Sequence, residues 1–262
     1  MSIRLPNAPL IEVVFEMRWA LEATTDLPLP VDPGYATLLD AFDGYAQKKG
    51  FDRLVSLRHG YGGLGDSVSR RYYKGEDSFP LLQLGHGIFA ANASTEYEWK
   101  AFKKFALDAA SFVVANYPKF KNFNFSVRHL ELRYTNAFEE ALADAANWID
   151  FFNKATTGHI NLPDYLNNTA FKPERRGRFL IESDTKNPRD SIFSLELASA
   201  RKADVPALRM TNKVFKFGEG IIPSTKIEKF GSALDGWLEA AHNFTSESFK
   251  QILTEEFRQN FR

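Results

Sequence analysis

From Ile11 to Trp19 apolar and polar positions alternate. Ile11, Val13, Phe15, Met17 and Trp19 share one parity, and Glu12, Val14, Glu16 and Arg18 the other. A period of two over nine residues predicts a strand with one buried and one wet face. A proline-rich loop follows, with Pro28, Pro30 and Pro33. Asp32-Pro33 then predicts an N-cap and first helical turn, and Gly50 the stop. Between them Tyr35, Leu38, Leu39, Phe42, Tyr45 and Ala46 sit at helical spacing. Strands are expected near 51–58, 67–74 and 80–92. An amphipathic helix is expected over 97–116, with Trp99, Phe102, Phe105, Ala109, Phe112 and Val113 on one stripe and Lys100, Lys103, Lys104 and Asp108 opposite.

The same order then recurs. A strand near 125–135 precedes a helix near 139–155, strands near 177–184, 190–200 and 206–218, and a long terminal helix. Thr225-Lys226-Ile227-Glu228 has the capping-box pattern for that last helix, and Thr245-Ser246 suggests a break within it. Phe15-Glu16-Met17-Arg18-Trp19 also matches Leu130-Glu131-Leu132-Arg133-Tyr134 class by class, 115 positions later. The pattern therefore predicts an α+β fold: a mostly antiparallel sheet with helices on one face, in two pseudo-repeated β-α-β-β-β-α halves. The halves are 1–122 and 123–262, acting as one structural unit. Joined edge to edge they would resemble the duplicated saddle of TATA-binding-protein-like folds, in element order only.

Composition narrows the classes. The chain has 262 residues, 44% hydrophobic and 25% charged, the mix of a soluble globular protein and not of a disordered one. With no cysteine there is no disulfide framework, thiol nucleophile, thiolate metal site or iron–sulfur cluster. Lys and Arg number 33, as do Asp and Glu, so the net charge of zero argues against a dedicated nucleic-acid binder, though not against a local basic patch. No apolar run is long enough to span a membrane, and the opening MSIRLPNAPL has no apolar core of a signal peptide. The expectation is a cytoplasmic protein with no membrane partner.

Three segments together carry a resemblance: Asn7-Ala8-Pro9-Leu10-Ile11-Glu12-Val13-Val14-Phe15-Glu16; Leu82-Gln83-Leu84-Gly85 with Asn92, Tyr97, Trp99 and Phe102; and Leu132-Arg133-Tyr134-Thr135-Asn136. His242 followed by Phe249, Thr254 and Phe257 also fits. The chain resembles a sporadically distributed family of uncharacterised bacterial proteins of about this length. Thr135 stands where an aliphatic residue is expected. The resemblance implies no activity and no catalytic residue. The patchy distribution implies accessory loci, such as phage defence or toxin–antitoxin loci.

Candidate chemistry follows from the strands. Glu16 with Arg18, and Glu131 with Arg133, lie on wet strand faces, and His129 shares the face of Glu131. Such groups form either a ligand-reading centre with bidentate arginines or plain cross-strand charge pairs. Arginines also cluster at Arg70-Arg71 and at Arg175-Arg176-Gly177-Arg178, near Tyr72, Tyr73, Phe171 and Phe179. Aromatics interleaved with arginine can stack bases and hold phosphates, but arginine on an edge strand also prevents aggregation. No metal-ligand spacing joins His59, His86, His129, His159 and His242. Gly60-Tyr61-Gly62-Gly63-Leu64-Gly65 is a literal G-x-G-x-x-G, yet a strand pattern follows it where a dinucleotide fold needs a helix. Nothing points to a cofactor.

These features favour a non-enzymatic binding or interaction protein of a bacterial accessory locus, its wet sheet face holding a protein or anionic partner. The alternatives are an enzyme or small-molecule binder with a cavity between sheet and terminal helix, and nucleic-acid binding through the arginine loops. In the enzyme reading His129, Glu131 and Arg133 are the acid–base groups. Oligomeric state is not legible.

Overall fold

The computed structural model describes residues 9–23, 30–60, 66–94, 97–139, 148–158, 178–202, 205–223 and 226–260. In chain order these form β1 (Leu10–Trp19), α1 (Tyr35–Lys48), β2 (Arg53–Gly60), β3 (Asp66–Tyr73), β4 (Leu81–Gly85), β5 (Ile88–Ala93) and α2 (Trp99–Asn116). Then come β6 (Val127–Glu139), α3 (Trp148–Ala155), β7 (Arg178–Thr185), β8 (Ser191–Lys202), β9 (Val205–Phe217), α4 (Ile227–Ile252) and α5 (Glu255–Gln259). The class is α+β with extensive antiparallel sheet, as the alternating strand patterns predict. No helix among the described residues is long and apolar enough to cross a membrane.

The chain divides into two compact units. The N-terminal unit comprises Val13–Leu132 and Phe215–Glu239; the C-terminal unit comprises Met1–Glu12, Arg133–Val214 and Ala240–Arg262.

In the N-terminal unit the strand order is β2-β3-β4-β5-β1-β6. The pairs β2–β3, β3–β4, β4–β5 and β5–β1 are antiparallel, with Phe15 opposite Ala91. Val13, Phe15, Met17 and Trp19 are buried, while Glu16 is intermediate and Arg18 exposed, so the period of two maps onto burial from Phe15 to Trp19. Before Phe15 the pattern fails, because Ile11 is exposed and Val14 is buried. Phe42 of α1 has its ring beside Tyr72 of β3, Phe89 of β5 and Phe112 of α2. Removing such a ring typically costs about 3–5 kcal/mol.

Three expectations need correction here. The segment 80–92 is two strands, because Gly87 takes φ +67° and turns the chain between β4 and β5. Only glycine adopts that backbone freely, and a Cβ there would also lie 2.7 Å from Leu21. Four strands, not three, therefore separate α1 from α2. Second, Asp32 is not the N-cap of α1. That place falls to Gly34, and no side chain caps the helix. The Asp32 carboxylate instead accepts hydrogen bonds from Trp19 Nε1, Gly34 N, Gly87 N and the Tyr117 hydroxyl. Third, α2 begins at Trp99, two residues later than expected, because Glu98 caps it by accepting from Lys100 N and Ala101 N.

In the C-terminal unit the order is β6-β9-β8-β7. β7 and β8 are antiparallel, with Leu180 opposite Glu196 and Glu182 opposite Ser194. The rings of Phe138 and Phe249 stack, and Phe193 lies 5.2 Å from Phe244, so α4 covers one face of these strands. β6 runs to Glu139 and not to 135, because Asn136 and Phe138 continue its buried parity. Of the helix expected over 139–155, Trp148–Ala155 is helical and 140–147 lie outside the described residues. The expected break at Thr245-Ser246 does not occur. The Thr245 hydroxyl donates to the carbonyls of Ala241 and His242, so it is satisfied inside the helix. Thr225 of the proposed capping box lies outside the described residues.

Candidate functional site

Strand parity decides where each charged side chain points. In the C-terminal unit, Leu208, Met210 and Val214 of β9 are buried, which turns Arg209, Thr211 and Lys213 to the other face. Phe193, Leu195 and Leu197 of β8 likewise turn Ser194 and Glu196 to that side. Arg178, Leu180 and Glu182 of β7 and Arg133 and Thr135 of β6 join them, with Glu12. Together they line a recess of about 410 Å³. It carries four cationic side chains and three carboxylates.

Glu196 is its hub. Oε2 accepts from Arg178 Nη2 at 2.7 Å, and Oε1 accepts from Arg209 Nη2 at 2.6 Å. Partial burial pushes the Glu196 carboxyl up, but the hydrogen bonds from Arg209 and Arg178 outweigh it and leave the pKa below the usual glutamate value. The two guanidinium side chains are 64% and 46% exposed, against 18% for the glutamate. Each arginine gives Glu196 one charge-assisted hydrogen bond and makes no other hydrogen bond or ion pair among the described residues. A guanidinium has five N–H donors, so most of each fork remains available while Glu196 fixes its position. An arrangement of this kind can hold a carboxylate or a phosphate.

The sequence-derived candidates separate under this geometry. Arg133 and Arg178 come together in the recess. Glu16 and Arg18 pair with each other at 2.6 Å on the N-terminal unit's β1. Glu131 is buried, with His129 Nε2 3.8 Å from its Oε2. The His129 ring also lies 6.2 Å from that of Phe215. Arg70 bonds Asp43 of α1, which also accepts from the Tyr72 hydroxyl at 2.8 Å. Burial, then that bond, drives the Tyr72 pKa far up. Arg71 donates through Nε to Gln83 at 3.1 Å. Arg70 therefore ties β3 to α1 and is not offered to a ligand. Arg175, Arg176 and the glycine run from Tyr61 to Gly65 lie outside the described residues. The run is bounded by the antiparallel strands β2 and β3, so no helix N-terminus follows it as dinucleotide binding requires.

Sequence reasoning missed Glu196, Arg209, Lys213, Glu12 and Glu182. The alternation Leu208-Arg209-Met210-Thr211-Asn212-Lys213 was the available signal, since it sets two cations on the wet parity. Among the described residues, no group of three or more His, Asp or Glu side chains is placed to hold a metal ion. No family model, curated protein or solved structure matches the chain.

Proposed function

We propose that the chain is a non-enzymatic binding protein of a bacterial accessory locus. The open sheet face of its C-terminal unit takes an acidic group of a protein partner. The observation that supports this reading most is the Arg178–Glu196–Arg209 bridge, two exposed guanidinium groups braced by one carboxylate. Arg133 and Lys213 in the same recess add positive charge beside the bridge. The three carboxylates of the recess limit that field and favour a partner presenting both signs over a uniform polyanion. Exposed pairs of this type contribute little to folding, about 1 kcal/mol or less each, so stability is a weak reason for their arrangement. Nucleic-acid binding through the arginine clusters has less support, because Arg70 is committed to Asp43.

Affinity capture of the tagged protein from its host tests the reading, with the wild type and an Arg178→Ala/Arg209→Ala variant side by side. The expected result is a stoichiometric polypeptide on the wild type, released by added salt and lost from the variant. Retention of the same partner by both proteins would overturn the assignment of the site. Stoichiometric nucleic acid, or no retained macromolecule, would overturn the class of partner.

A further inference from the structure

A second cavity, in the N-terminal unit, has a different chemistry. Its volume is about 590 Å³, within the usual range for a small-molecule site. One wall is the first turns of α2 with the residue before them. Ala101 and Phe105, four apart in α2, share a face, and Tyr97, which precedes the extended cap residue Glu98, joins them in the lining beside Glu98 and Phe102. The opposite wall is the loop from Lys74 to Pro80 that joins β3 to β4, and Ala93 and Ser94 at the end of β5 complete the lining.

The loop wall is anchored. Gly75 N donates to Asp52 Oδ1 at 2.6 Å, and Arg53 donates to the carbonyls of Gly75 and Asp77, both at 2.9 Å. The Arg53 guanidinium also lies 4.2 Å from the centre of the Tyr73 ring. On the helix side the Phe102 ring meets Tyr97 at 5.7 Å and Phe105 at 6.5 Å, both steeply inclined. Phe105 stacks on Phe51, over which the Lys74 ammonium sits at 5.2 Å. Both carboxylate oxygens of Glu98 are occupied as the cap of α2. The Asp77 carboxylate, by contrast, has no hydrogen bond or ion pair among the described residues.

Phe79, Tyr97, Phe102 and Phe105 give the cavity four aromatic rings, and Asp77 gives it an uncommitted negative charge. The carboxylates of Asp77 and Glu98 outnumber the single ammonium in the lining, that of Lys74 over Phe51. Aromatic faces attract cations and repel anions, and a carboxylate at the rim does the same. We propose that this cavity binds an organic cation, an ammonium group carried on an apolar or aromatic body. The rings take the body, and Asp77 faces the charge. A simple metal cation lacks the apolar body that the rings accommodate, and an organic anion meets Asp77 and Glu98 together.

Three probes of similar size test the proposal by titration calorimetry on the whole protein: benzyltrimethylammonium, benzyl alcohol and phenylacetate. The cation is expected to bind saturably, about three- to tenfold more tightly than the neutral probe, with the anion weakest. Asp77→Asn is expected to remove most of the preference for the cation. Ala101 is exposed on the helix, so Ala101→Trp fills the cavity without disturbing the core and is expected to abolish binding. Equal affinity for the three probes, or an Asp77→Asn variant with unchanged preference, would overturn the assignment of ligand class. Absence of saturable binding of the cation, or its persistence in Ala101→Trp, would overturn the site.

Discussion

Arg70 and Arg178 look alike in the sequence, each a strand arginine beside aromatic residues, and they end in opposite situations. Arg70 shares the parity of Tyr72, which is buried, and it meets Asp43 of α1 in a partly buried pair. Arg178 lies on β7, which is exposed on both parities from Arg178 to Asp184, and meets Glu196 with 64% of its side chain exposed. The N-terminal unit carries this inward use of polar groups furthest at Asp32, 6% exposed and saturated by four donors. In the C-terminal unit the Arg178–Glu196–Arg209 bridge leaves donors outward. One arrangement is cohesive and the other is available. Burial of the strand around each arginine, not local composition, sorts them.

The sharpest way to break the contrast is Asp32→Ala. It strips a partner from two backbone N–H groups, an indole and a phenol inside the N-terminal unit. The expected loss is about 3–5 kcal/mol of unfolding free energy, the scale for uncompensated buried polar groups acting together. Denaturant titration measures it; a loss under about 1 kcal/mol would show that water replaces the carboxylate. Asp43→Ala is next. It leaves Arg70 and the Tyr72 hydroxyl without their shared acceptor, at an expected cost of about 1–3 kcal/mol. Arg178→Ala with Arg209→Ala should cost about 1 kcal/mol or less, because those pairs are exposed. If that double variant destabilises the protein as much as Asp43→Ala, the bridge is cohesive after all.

Acid sharpens the same distinction in two pH windows. The exposed His86 lies against Tyr35 with ring centres 4.1 Å apart, and the partial desolvation of its ring holds its pKa below 6.5 while Asp32 pulls it partly back. Its folded value lies below its unfolded value, so its contribution is complete above pH 6.5 and is lost as pH falls through the folded value. The Glu196 pKa is also lowered, so its contribution is complete above 4.5 and fades only at lower pH. Stability measured against pH should therefore decline first in the histidine window. His86→Phe keeps a ring on Tyr35 and should flatten that first decline; an unchanged slope would contradict the assignment. Lys103→Met should have the smallest effect. Lys103 bridges Asp235 and Glu239 at 2.9 Å, but both acids are nearly half exposed, and a change below about 1 kcal/mol is expected on unfolding.

Much of the fold was legible because burial and pattern coincide. The alternation from Phe15 to Trp19 and the stripe from Trp99 to Val113 each report one buried face, whereas Ile11 is exposed and Val14 buried against the pattern. Boundaries failed where a single residue controlled them. Gly87 split one expected strand into two, and Thr245 kept a helix whole by bonding back to Ala241. Asp32 looked like a helix cap because Asp before Pro commonly is one; only folding brings Trp19, Gly87 and Tyr117 to its oxygens, from positions up to 85 residues away. The recess was half legible. Arg133 and Arg178 were visible, but their convergence with Arg209 depends on strand order, and Glu196 is opposite Leu180 by register alone. The aromatic cavity gave no sequence signal, since a loop, a strand end and a helix start share no period.

The central claim is that the guanidinium groups of Arg178 and Arg209 remain available to a partner while that of Arg70 does not. The most direct measurement follows the arginine side-chain Nε–Hε signals of ¹⁵N-labelled protein during titration with a peptide that carries both glutamate and lysine. The account predicts saturable shifts at Arg178 and Arg209, suppressed by salt, with Arg70 unmoved. Shifts spread evenly over all exposed arginines, or none at these two, would contradict it.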